Sequence, residues 1–117
     1  MPHIILETTS DLPENANVPD VLDALVQKLA TFDTIEEKSI RAYHTLRSVW
    51  SVGDGHPPGF AHCTIKLMTG RTPDLKKQIA SGLFQVLKEA FADSVANGEA
   101  AVTLELHEMD RDTYQKL

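Results

Sequence analysis

Gly53-Asp54-Gly55-His56-Pro57-Pro58-Gly59 is the strongest turn signal in the chain. Its glycines permit backbone angles that side chains disfavour, and its prolines have no N–H to offer a strand ladder. The chain reverses here, and the segments flanking the reversal decide the fold. On the far side, Phe60 to Met68 has the period of a strand: Phe60, His62, Thr64 and Lys66 share one face, and Ala61, Cys63, Ile65 and Leu67 the other. On the near side, Ile40 to Val52, with Tyr43, Thr45, Val49 and Trp50, reads as a second strand of imperfect alternation.

Beyond the far strand, Thr72-Pro73-Asp74 supplies an N-cap hydroxyl, a proline at the first helical position and an acid in the first turn. The helix it opens is expected to run to about Val95. Its buried stripe would be Leu75, Ile79, Leu83, Phe84, Leu87, Phe91 and Val95, with Asn97-Gly98 ending it. Ala101 to Glu108 then forms a last strand through Val102, Leu104 and Leu106. In the other direction, Pro19-Asp20 opens a helix to about Phe32 with Val21, Leu22, Leu25, Val26 and Leu29 on one face. Ser10 to Asn17, polar and interrupted by Pro13, reads as loop, and His3 to Thr9 as a buried strand. The order is strand–helix–strand, turn, strand–helix–strand. That pattern predicts an α+β fold of two β-α-β repeats: a four-stranded mixed sheet with two helices on one face. A chain of 117 residues supports one such domain, residues 1–117.

Composition narrows the function classes. Acids outnumber bases, 17 to 11, for a formal charge of −6. An acidic surface argues against nucleic acid or an anionic membrane as partner. It also means that an anionic ligand would need locally placed arginines. The lone Cys63 excludes an intramolecular disulfide and suits a reducing compartment. No run approaches membrane-spanning length and no leader-like start is present, so a cytoplasmic protein is expected.

Topology then places the polar residues. Both strands of a right-handed β-α-β unit start at the same end of the sheet, so Pro2 and Arg41 start together. The turn reverses direction, so the third strand finishes at that end, just before Arg71. Pro2, Arg41 and Arg71 are therefore expected to converge, within one subunit or across a close subunit contact. The fourth strand ends there too, bringing Met109 to Tyr114 near.

Pro2 has two readings. It can simply start a strand, where proline is tolerated. With Met1 removed, its ring nitrogen is instead a free secondary amine. Burial and nearby arginines would lower the pKa of that amine toward neutrality, the range suited to a general base. Arg41 and Arg71 read by themselves as exposed cations, and Arg47 as a surface or interface residue. Trp50 reads as an interface anchor and His62 as a hydrogen-bonded interior or interface residue. The five histidines, His3, His44, His56, His62 and His107, show no metal-ligand spacing, so no metal site is expected. Cys63 reads as core packing, not as a nucleophile. Gly53-Asp54-Gly55 precedes no helix and is no phosphate loop.

Several segments recur in a family pattern, in order and at matching spacing. These are the opening Met-Pro-His-Ile-Ile-Leu-Glu, Ile40-Arg41-Ala42, Trp50, Asp54-Gly55, His62-Cys63-Thr64-Ile65-Lys66 and Gly70-Arg71-Thr72. Over nearly its whole length the chain resembles the 5-carboxymethyl-2-hydroxymuconate isomerase family, a branch of the tautomerase superfamily. The resemblance implies a homotrimer of tautomerase-like β-α-β repeats, no cofactor, and proton transfer along a small carboxylated dienol by the terminal proline, Pro2. It also implies that Arg41 and Arg71 hold substrate carboxylates, and that the setting is the degradation of aromatic compounds. The turn after Asp54 is shorter than in the family pattern. The tail, Asp110 to Leu117, stops earlier. A phenylpyruvate-type keto–enol tautomerase is the same-class alternative. A non-catalytic trimer binding a small acid or a protein is the alternative from another class.

Overall fold

The computed structural model describes residues 1–117. Strands β1 (His3–Thr9), β2 (Arg41–Arg47), β3 (Gly59–Met68) and β4 (Ala100–Met109) form one sheet in the order β2-β1-β3-β4. β1 runs parallel to β2 and antiparallel to β3, and β3 runs parallel to β4. Helices α1 (Val18–Ala30) and α2 (Pro73–Ala90) connect the parallel pairs and pack on each other, and a short α3 (Ala92–Ala96) follows. This is the mixed sheet of two repeats expected from the sequence.

The pleat divides the strands as their alternation requires. Ile4, Leu6, Ala61, Cys63, Ile65 and Leu67 are fully buried against Val21, Leu25 and Leu29 of α1 and Ile79, Leu83 and Leu87 of α2. Burying a side chain of that size stabilises the fold by about 1.5–3 kcal/mol. The alternate set, including Ile5, Phe60, His62 and Thr64, faces away from the helices and is only partly covered. At the start of α2, the Thr72 hydroxyl accepts from the Leu75 N–H at 3.2 Å, the cap that Thr72-Pro73-Asp74 signalled.

Three expected boundaries moved. β2 ends at Arg47 rather than continuing to Val52, because β1 ends at Thr9, the partner of Arg47, and leaves no ladder beyond it. Val49 is almost fully exposed, and Trp50 lies outside the strand, its indole N–H donating to the Pro58 carbonyl at 2.8 Å. The second long helix is broken at Phe91, which has left helical geometry at φ −109°, ψ 18° and is fully buried. Glu14 accepts from the Ser94 hydroxyl at 2.6 Å and draws Ser94 inward, so the restarted helix turns Val95 half out to solvent. Finally, Pro13–Asn17 forms a 3₁₀ turn instead of open loop. The Thr8 hydroxyl donates to Asn15 Oδ1 at 2.5 Å, and Asn15 Nδ2 donates to the Thr9 carbonyl at 2.9 Å, tying the segment to the end of β1.

Candidate active site

One end of the sheet gathers the start of β1, the start of β2, the end of β3 and the end of β4. His3 pairs with Arg41 on one side and Lys66 on the other, while Met68 pairs with Met109. Pro2 continues β1, and its carbonyl accepts from the Arg41 N–H at 2.9 Å. A cleft of about 290 Å³ opens there, lined by Met1, Pro2, Thr34, Ile35, Glu36, Ser39, Met68, Arg71 and Arg111.

Pro2 is buried at the base of this cleft, on the pleat parity of Ile4 and Leu6. The charge at the chain start is disfavoured in place. The Met1 ammonium is held below its ordinary range, first by burial and then by the charges of Lys116, Arg71 and Arg41.

Arg71 follows β3 into the cleft. Its two terminal nitrogens donate only through long contacts, 3.4 Å to the Met68 carbonyl and 3.4–3.5 Å to Thr34, and its buried Nε has no partner. Thr34 sits at φ 73°, a left-handed conformation that β-branched residues rarely adopt. Strain of that kind costs of order 1–3 kcal/mol and concentrates at functional sites.

Arg41 shares the sheet end but not the cleft wall. As the partner of His3 it has the parity opposite to Pro2, and its guanidinium folds back onto the carbonyls of Lys38 and Ile40 at 3.1 and 3.2 Å. Its side chain acts on the chain start through charge alone. Arg47 lies at the other end of the sheet, paired with Glu7 at 2.6 Å. Cys63 is wholly buried, and burial pushes its thiol pKa up to about 12, so it is a core residue with no accessible thiolate. His62 is within 2.6 Å of the Thr103 hydroxyl and 3.5 Å of Glu105 on the sheet face that carries no helix. No group of three or more His, Cys, Asp or Glu side chains could hold a metal ion.

Met109 to Tyr114 comes to this end as strand direction requires, and Arg111 within it carries no sequence signal of its own. Thr34 to Ser39, in the connection between α1 and β2, carried no periodicity to mark it. The tail is well anchored. A turn at Asp110 accepts N–H donors from Thr113 and Tyr114 at 3.2 and 3.0 Å, and the Tyr114 hydroxyl lies 3.2 Å from His3 Nε2. Burial, then the charges of the chain start, Lys66 and Arg41, hold the His3 pKa below its usual range, favouring the neutral ring in this contact.

The family model for 5-carboxymethyl-2-hydroxymuconate isomerase matches residues 2–117, from Pro2 through the tail. The chain belongs to this family. As such it is an enzyme of the tautomerase superfamily. The 5-carboxymethyl-2-hydroxymuconate Delta-isomerase of Escherichia coli is 27% identical over 93% of this chain and 87% of its own. The crystal structure of a 5-carboxymethyl-2-hydroxymuconate isomerase from Deinococcus radiodurans R1 superposes with a TM-score of 0.92 at 29% identity, covering 99% of this chain and 88% of that one. A fused 4-OT, solved as a symmetric trimer, shares the fold at a TM-score of 0.70 and 18% identity, over 97% of this chain and 90% of its own. No helix of this isomerase is long and apolar enough to cross a membrane.

Proposed function

We propose that the protein moves a proton along a small carboxylated dienol to give the conjugated ketone, with the amine of Pro2, freed by removal of Met1, as general base and acid. Neutral Pro2 takes the enol hydroxyl proton and returns it to a carbon further along the conjugated system. Arg71, with Arg41 behind it, holds carboxylate and stabilises the negative charge that spreads toward the oxygen becoming a ketone. The substrate's own conjugation stores that charge, so the reaction calls for no cofactor. The activity corresponds to that named for the Escherichia coli relative, within the breakdown of aromatic compounds in the cytoplasm.

One observation carries the reading. Acids exceed bases by 17 to 11, yet neither Arg41, Arg71 nor the cleft-lining Arg111 forms a salt bridge. Cations left unpaired around a buried Pro2 are suited to a carboxylated ligand. The pH profile tests the base. Activity requires the unprotonated amine, so kcat/KM should rise with pH and level off below the range of a free prolyl amine. Arg71→Ala removes a neighbouring cation and should move that rise to higher pH. A rise at the unperturbed amine position, or none, would remove Pro2 from the mechanism.

The assembly follows from the sheet. Its second face, bearing Ile5, Phe60 and a 43%-exposed Tyr43, has no helix over it, and the trimeric fused 4-OT supports a homotrimer that buries this face. Light scattering at micromolar concentration should give three times the chain mass, and a monomer would exclude the assembly.

A further inference from the structure

We propose that Arg111, borne on the tail, determines specificity: its guanidinium takes a second carboxylate on the ligand whose first carboxylate is held by Arg71. The inference rests on the reading of the cleft as a site for a carboxylated ligand, and adds to it the residue that takes a second carboxylate.

Arg71 and Arg111 line the same cleft, and both are under-used. Arg111 spends one N–H on the Thr69 carbonyl at 2.8 Å, leaving four of the five donors that a guanidinium carries. Gly70 lies beneath it. At φ +121° this residue favours glycine, and a Cβ placed there would find Arg111 Nη2 as its nearest neighbour at 3.6 Å. The guanidinium therefore lies over the backbone next to Arg71, anchored before any ligand arrives. The Asp110 turn and the Tyr114–His3 contact hold the tail on either side of it. Preorganisation of this kind limits the side-chain ordering cost that weakens most exposed ion pairs.

The charge pattern favours an anion from outside. Two guanidinium groups on one small cleft disfavour each other, and the only acid in the lining is Glu36, an exposed side chain whose carboxylate is 3.7 Å from Lys38. A ligand with one carboxylate answers Arg71 and leaves Arg111 on water. A ligand with carboxylates at both ends of a short conjugated chain answers both.

The test uses two ligands with the same six-carbon trans,trans-diene chain, neither of which is an enol: trans,trans-muconate with two carboxylates and sorbate with one. Nuclear magnetic resonance titration of the protein lacking Met1 should show muconate bound at least about tenfold more tightly than sorbate, a preference of the size that one charge-assisted pair supplies. Arg111→Gln should collapse that ratio toward one, and Arg111→Lys should restore part of it. A merely structural role for Arg111 would weaken both ligands alike and leave the ratio unchanged. A ratio near one in the unmodified protein, or one that survives Arg111→Gln, overturns the proposal. Turnover of enols is read separately, so its absence would count against the proton-transfer reading while the binding ratio still decides the role of Arg111.

Discussion

Protein that retains Met1 is expected to turn over a carboxylated dienol at least about a hundredfold more slowly than protein from which Met1 has been removed, the lower end of what a positioned base contributes. The reason is chemical before it is steric. With Met1 attached, the Pro2 nitrogen is a tertiary amide with no useful basicity. Met1 also lines the cleft and occupies space that a ligand would need. Once Met1 is gone, the new amine sits on a buried residue and inherits the conditions that already disfavour charge at the chain start: burial first, then Lys116, Arg71 and Arg41. Intact mass to establish the state of the terminus, paired with ultraviolet monitoring of enol-to-ketone conversion, measures the difference. Equal rates for the two forms would exclude the proline mechanism and favour a binding protein built on the same fold.

Arg71→Ala is expected to lower kcat/KM by about 10²–10³-fold, the range found when a preorganised donor to developing negative charge is removed. Thermal stability should change little. The contacts of Arg71 with Met68 and Thr34 are 3.4–3.5 Å long, and its buried Nε is unpaired, so the folded state loses few good hydrogen bonds with it. Arg71→Lys should also be impaired, because a single ammonium keeps the charge but not the planar fork that grips a carboxylate through two parallel bonds. Calorimetry beside steady-state kinetics separates the two effects. Full activity in Arg71→Ala would remove it from the site. A large loss of stability at unchanged kcat/KM would make it a structural residue.

Much of the fold was legible because its signals are local. The alternation of Phe60 to Met68, the Thr72-Pro73-Asp74 cap and the glycine–proline turn each act within a few residues, and each produced the element it announced. The expectations that moved depended on a distant partner. Nothing in Val49 or Trp50 shows that β1 stops at Thr9 and leaves them no strand to pair with. Nothing near Val95 shows that Glu14 captures Ser94 and swings the last helical turn outward.

The candidate site divides along the same line. Sequence alone determined that Pro2, Arg41 and Arg71 come to one end of the sheet, because the helix of a β-α-β unit returns the chain to the end from which it started and so makes the two strands parallel. Only the tertiary structure decided which side chains share the cleft. Pleat parity puts Arg41 opposite to Pro2, and its guanidinium turns to the carbonyls of Lys38 and Ile40. The tail turn at Asp110, fastened by Tyr114 to His3, delivers Arg111 to the wall beside Arg71. Strand order and direction follow from periodicities written along the chain. The aim of a long side chain depends on the carbonyls and rings that neighbouring segments present, and those are set only when the segments have packed.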